Sequence, residues 1–220
     1  MIDKKSFLFD LNGTMINDME FHIEVWHDVL NNDLNAKLSR EEVRSHMYGR
    51  NQELLTRVFG SGRFTIEEAD AISYNKEVKY QALYKPHLDL LPGLFTFLKR
   101  AKENNIKMAI GSAASIFNID FALDNLNVRH YFNFVVSGDD VTDSKPHPET
   151  YLKGAKYLQV APQSCIVFED APKGVEAAMN AGMKCVVITS MHQEEEFSEY
   201  DNILLFVKDY TDPRLAALFF

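Results

Sequence analysis

Apolar residues change their spacing twice along this chain. Residues 6–10 (SFLFD) form a short continuous apolar run ending on an acid, as in a strand buried on both faces. Residues 15–88 hold no comparable run. Met19, Ile23, Trp26 and Leu30 recur at helical spacing, residues 39–42 (SREE) read as a capping box, and residues 51–59 and 65–84 continue the helical pattern. From Leu91 onward the two patterns alternate. Helix-like LFTFLKRAKENN leads to strand KMAIGS, helix SIFNIDFALDNL, strand FNFVVSG, helix PETYLKGAKYLQ, strand CIVFED, helix KGVEAAMNAG, strand KCVVIT and a last short strand, ILLFV.

Apolar strands alternating with amphipathic helices predict an α/β fold, a Rossmann-like doubly wound parallel sheet covered on both faces. The first strand belongs with this later half, so the helical block is an insertion. The expected division is a core of residues 1–14 and 89–220 and an all-helical cap domain of residues 15–88, with hinges near 14–17 and 86–92. Right-handed crossovers bring the C-terminal ends of the strands to one edge, where such folds bind ligands. The cap is expected over that edge.

Length and composition narrow the choice only slightly. The 220 residues suffice for one core plus a small satellite, and 46% apolar and 25% charged residues are ordinary for a globular chain. A formal net charge of −9 argues against nucleic acid as a partner, although one metal ion and a few cations can still create a local anion site. Cys165 and Cys185 each lie in an apolar strand-like run and read as reduced buried thiols. The start of the chain is too short in apolar residues for a signal peptide, and no run has the length of a membrane span. A monomer acting in the cytoplasm without a membrane partner is expected.

The chemistry lies in the polar residues that follow the strands. These are Asp10 with Asn12, Gly13 and Thr14; Ser112; Lys145 in DSKPHPETY; and Glu169–Asp170 in FEDAPKG. One acid at a strand end means little, but four polar clusters at four strand ends converge on one crevice. Their types suit phosphoryl transfer. Carboxylates of Asp10 and Asp170 with a backbone carbonyl can hold Mg²⁺, and Lys145 can neutralise the transferring group. Ser112 and the amides opening the next helix can bind phosphate oxygens, and Asp10 can act as a nucleophile.

In order and spacing, DLNGT, GSA, SKPHP and FEDAPKG resemble the four motifs of the haloacid dehalogenase-like superfamily. The inserted helices resemble the helical cap of its first subclass. EFHIEVW and MYGRNQELL resemble segments of its β-phosphoglucomutase-like branch. The resemblance spans essentially the whole chain. It implies that Asp10 is nucleophile and metal ligand, and that residue 12 gives a carbonyl to Mg²⁺ while its side chain normally serves as general acid and base. It further implies that Ser112 and the backbone of Ala113 grip the phosphoryl group, that Lys145 bridges nucleophile and phosphate, and that Asp170 with Glu169 completes the metal site. From the cap, His22, Arg50 and Lys76 would face the rest of the substrate, a small phosphorylated metabolite such as a sugar phosphate.

Plainer readings stand beside these. Asp170 and Ser112 can be helix N-caps, Lys145 a loop lysine, Arg50 a helix-start residue, and His22 a packing residue. Lys76 falls beside Glu77 and Lys79 on what reads as a solvated face. Asn12 departs from the family pattern because an amide cannot exchange a proton near neutral pH. Three explanations fit it: an enzyme for activated phosphates, an introduced Asp→Asn change, or a weakly active phosphate-ligand binding or regulatory protein. The expected activity is that of a Mg²⁺-dependent phosphatase impaired at position 12, with a hexose phosphate mutase as the alternative enzyme.

Overall fold

The computed structural model describes residues 5–220. In chain order it contains β1 (Ser6–Phe9), α1 (Met19–Asp28), α2 (Arg40–Ser45), α3 (Asn51–Phe59), α4 (Ile66–Tyr84), α5 (Leu94–Glu103), β2 (Met108–Gly111), α6 (Ile116–Asn125), β3 (Phe134–Val136), α7 (Glu149–Leu158), β4 (Cys165–Glu169), α8 (Pro172–Asn180), β5 (Lys184–Ile188) and β6 (Ile203–Val207). These divide into two compact units, one reaching Asn17 and resuming over Asp89–Phe220, the other Asp18–Leu88. Met15 and Ile16, placed by the sequence pattern in the inserted block, belong to the first unit. Both are buried. Leu91 N–H donates to Met15 O at 2.8 Å, and Gly13 N–H to Ile16 O at 2.9 Å.

In the first unit six parallel strands form one sheet in the order β3-β2-β1-β4-β5-β6. Successive strands run outward from β1 in one direction and from β4 in the other, so the order reverses between these two central strands. That reversal is the point at which open α/β sheets bind ligands beyond the strand C-termini. One face carries Leu8, Val167, Cys185 and Val187 against Tyr151 and Ala155 of α7 and Val175 and Ala178 of α8. On the other face Phe9 and Phe168 stack at 4.6 Å, with Phe97 of α5 at 6.3 and 5.2 Å from them. Apolar side chains on both faces explain the unbroken apolar runs.

The second unit is helical. Capping boxes close the starts of α2 (Ser39, Glu42) and α4 (Thr65, Glu68), and Ile23, Trp26, Leu54, Tyr80 and Tyr84 are among its buried residues. No helix among the described residues is long and apolar enough to cross a membrane.

Candidate active site

Asp10 directly follows β1, Glu169 ends β4 and Asp170 directly follows it, so the two central strands deliver three buried carboxylates to the point of reversal. One ligand oxygen from each lies within 4.8 Å of the others. Lys145 reaches this group from the 142–149 loop. Its Nζ donates to Asp10 Oδ1 and Glu169 Oε1, both at 2.7 Å, and lies 4.7 Å from the centre of the Tyr151 ring. Burial alone would lower the Lys145 pKa, but the Asp10 and Glu169 carboxylates outweigh it and hold the ammonium above the ordinary lysine value.

Glu169 is the most heavily bonded of the acids. Its Oε1 accepts from Lys145 and from Tyr151 Oη at 2.8 Å, and its Oε2 from the amides of Asp170 and Ala171 at 2.9 and 3.0 Å. Four bonds use most of a carboxylate's acceptor capacity, so Glu169 serves as an anchor for Lys145 and for the start of α8. Gly174 makes room for it, since a Cβ there would stand 1.8 Å from Glu169 Oε1. Burial, then Glu169 and Asp10, raise the Tyr151 pKa, so the phenol stays a donor. Tyr151 sits among apolar neighbours on α7, and its spacing in the sequence reads only as core.

The set suits a hard divalent cation. Three carboxylates face one ammonium, all with oxygen donors, and Asp170 is approached closely by the turn after β1. Gly13 adopts φ +73°, and a Cβ there would lie 2.0 Å from Asp170 Oδ2. Thr14 Oγ1 donates to Asp170 Oδ1 at 3.3 Å. Asn12 lies in this turn, bridged to Ile16, half-buried beside Asp10 in sequence.

Ser112 and Asp170 are not helix N-caps. Ser115 caps α6 and Ala171 caps α8. Ser112 instead sits buried just past β2, its amide donating to Val136 O and its Oγ accepting from Ala114 N–H at 3.2 Å. This turn fixes Ala113 between them. The 142–149 loop is tied from below: Glu149 Oε2 accepts from the amides of Thr142 and Asp143 at 3.0 and 3.1 Å, while Lys153 Nζ lies 2.7 Å from Glu149 Oε1.

The helical unit gathers a second buried polar group. Lys76 Nζ lies 2.5 Å from His22 Nδ1 and donates to both Glu77 oxygens at 3.1 Å; Asn51 donates to Glu77 at 2.5 Å. His22 Nε2 lies 3.3 Å from Asp18, which accepts from Tyr80 Oη at 2.5 Å. Lys76 is 1% exposed, so the solvated face read from its neighbours is incorrect. The ring centres of Trp26 and Tyr80 lie 5.4 and 5.3 Å from its Nζ. Burial lowers its pKa, with Glu77 opposing. Arg50 precedes α3 and pairs with Glu53, its Nε and Nη2 donating to Glu53 Oε1 at 3.1 and 3.0 Å. The structure therefore brings Asp10, Lys145, Glu169 and Asp170 together directly, and His22 with Lys76. Arg50 forms an ion pair with Glu53.

A parallel six-stranded sheet with flanking helices and acids at its reversal point defines a Rossmann-like α/β protein. Residues 7–188 match the family described as haloacid dehalogenase-like hydrolase. The chain belongs to this hydrolase family. It is 31% identical over 196 residues to the β-phosphoglucomutase of Bacillus subtilis, covering 83% of this chain and 82% of that one. It is 29% identical over 203 residues to hexitol phosphatase A of Escherichia coli, covering 91% and 90%. A haloacid dehalogenase hydrolase of family IA from Entamoeba histolytica superposes with a TM-score of 0.85 at 25% identity, covering 98% of this chain and 99% of that one.

Proposed function

We propose that this chain is a Mg²⁺-dependent phosphatase of a small phosphorylated metabolite, a sugar phosphate by class, working through an aspartyl phosphate on Asp10. The observation that carries the reading is the Lys145 ammonium shared at 2.7 Å between Asp10 and Glu169, next to Asp170. Asp10 and Asp170 would hold the ion, with the main chain of Asn12 as the third donor. When bound, Mg²⁺ supplies positive charge to the phosphoryl oxygens.

Asp10 attacks phosphorus while Lys145 fixes its Oδ1 and offsets the charge of the approaching group. Ser112 and the amide of Ala113 orient the phosphoryl oxygens. The leaving oxygen departs with the bonding electrons, and Asn12 has no proton to give it. Water then attacks the acyl phosphate, releasing phosphate and restoring the Asp10 carboxylate. Asn12 slows both halves, so turnover is expected to be low. A small-molecule substrate also fits a monomer acting in the cytoplasm, away from nucleic acid and membrane.

Mg²⁺-dependent release of phosphate from a panel of sugar phosphates tests the reading, with Asp10→Asn as control. Loss of all turnover in Asp10→Asn supports it; equal turnover in that variant removes Asp10 as nucleophile. The similarity to a β-phosphoglucomutase favours a second reading as a hexose phosphate mutase. Conversion of β-glucose 1-phosphate to glucose 6-phosphate, without net phosphate release, would select it. A chain that binds phosphate with no turnover on either assay would be a binding or regulatory protein.

A further inference from the structure

Tyr210 is a buried polar group that the mechanism above does not use. It lies beyond β6, in the run KDYTD, with nothing in its spacing to mark it. Its amide donates to Pro92 O at 3.0 Å. The turn at Gly93 presses so closely that a Cβ there would stand 2.6 Å from the carbonyl carbon of Tyr210. The ring, 6% exposed, is held by Phe97, Phe168 and Phe9, with centres 5.4, 5.8 and 6.4 Å away. Phe9 and Phe168 are the residues immediately before Asp10 and Glu169. The phenol is therefore packed against the two strands whose ends carry the carboxylates.

Its hydroxyl oxygen is buried and has no hydrogen-bond partner among the described residues. A buried hydroxyl without a partner destabilises a fold, and phenylalanine would fill the same aromatic space without that cost. Burial raises the phenol pKa, and the Asp10 and Asp170 carboxylates raise it further. The group is thus a neutral O–H donor within the field of the two acids best placed to hold a cation.

We propose that Tyr210 is a positioning residue of the carboxylate site, its hydroxyl donating to a water held at Asp10 and Asp170 when a divalent cation is bound. This rests on the metal reading above. In that state the orphan donor gains an acceptor, and a water-mediated bond helps hold Asp10 and Asp170 in place.

The test is calorimetric titration of Mg²⁺ into the wild type, Tyr210→Phe and Asp170→Asn, together with the melting temperature of each without metal. Tyr210→Phe is expected to bind Mg²⁺ roughly 3- to 10-fold more weakly, the scale of one hydrogen bond, and to melt no lower than the wild type. Unchanged Mg²⁺ affinity in Tyr210→Phe, with binding intact in the wild type, overturns the Tyr210 role alone. A clear fall in melting temperature overturns it also, because the hydroxyl then serves the fold. Absence of Mg²⁺ binding in the wild type overturns the metal reading and this inference with it.

Discussion

The turn after β1 places two small residues under strong and opposite demands. Gly13 has φ +73°, and a Cβ there would collide with Asp170 Oδ2 at 2.0 Å. Gly13→Ala should therefore cost about 1–3 kcal/mol of stability and displace Asp170. A lower urea midpoint with an unchanged slope, together with weaker Mg²⁺ binding, is the expected outcome. Asn12, one residue earlier, keeps its main-chain carbonyl but has lost the exchangeable proton of an acid. Asn12→Asp should raise Mg²⁺-dependent phosphate release by one or more orders of magnitude, out of the roughly 10² to 10⁴ that a placed acid–base group contributes. A variant that gains nothing across a broad panel of phosphate esters would sink the acid–base account. Polar residues clustered after four strands single out Asp10, Lys145 and Asp170 as one group in the sequence, and the structure brings them together. Lys76 was misread as solvated because its neighbours Glu77 and Lys79 are charged. Its burial depends on His22 and Trp26, some fifty residues away, which no local pattern records.

At the scale of elements, Lys145 is only as well placed as the loop that carries it. Glu149, the first residue of α7, accepts from the amides of Thr142 and Asp143 and pairs with Lys153. The Lys153 ammonium, then the Asp143 and Thr142 amides, lower the Glu149 pKa to about 2 from an ordinary 4.5. A carboxyl lowered in this way contributes stability that is full above about pH 4.5 and is lost as pH falls toward about 2. Hydrogen exchange should show the Thr142 and Asp143 amides losing protection across that window, and Glu149→Ala should lose it at neutral pH as well. Protection that survives both would mean that other bonds hold the loop. The helices and strands themselves follow from apolar spacing, since α3 and the capping boxes of α2 and α4 are written in local sequence. The role of Ser112 is not. Ser112 reads as a cap on paper, and the start of α6 at Ile116 gives that place to Ser115 instead.

For the whole molecule the deciding fact is strand order, which the sequence does not state. A chain of alternating strands and helices admits several orders, and only one that reverses between β1 and β4 puts Asp10 beside Glu169 and Asp170. The order was legible only indirectly, from the clustering of polar residues after strands far apart in the chain. Its consequence is measurable without a substrate. The unfolded chain cannot assemble Asp10 and Asp170, so a cation that binds them stabilises the folded state alone. At a concentration of 100 Kd that linkage is worth about 2.7 kcal/mol, and for a chain of this size each kcal/mol moves the melting temperature by about 2–4 °C. Saturating Mg²⁺ should therefore raise the wild-type melting temperature by about 5–10 °C, and chelation should reverse it. Asp170→Asn should remove most of the shift while leaving the metal-free protein folded, because the amide keeps the size of the carboxylate and its oxygen can still accept from Thr14 Oγ1. A wild type whose melting temperature ignores Mg²⁺ would leave Asp10 and Glu169 as an anchor for Lys145 and take the metal out of the mechanism.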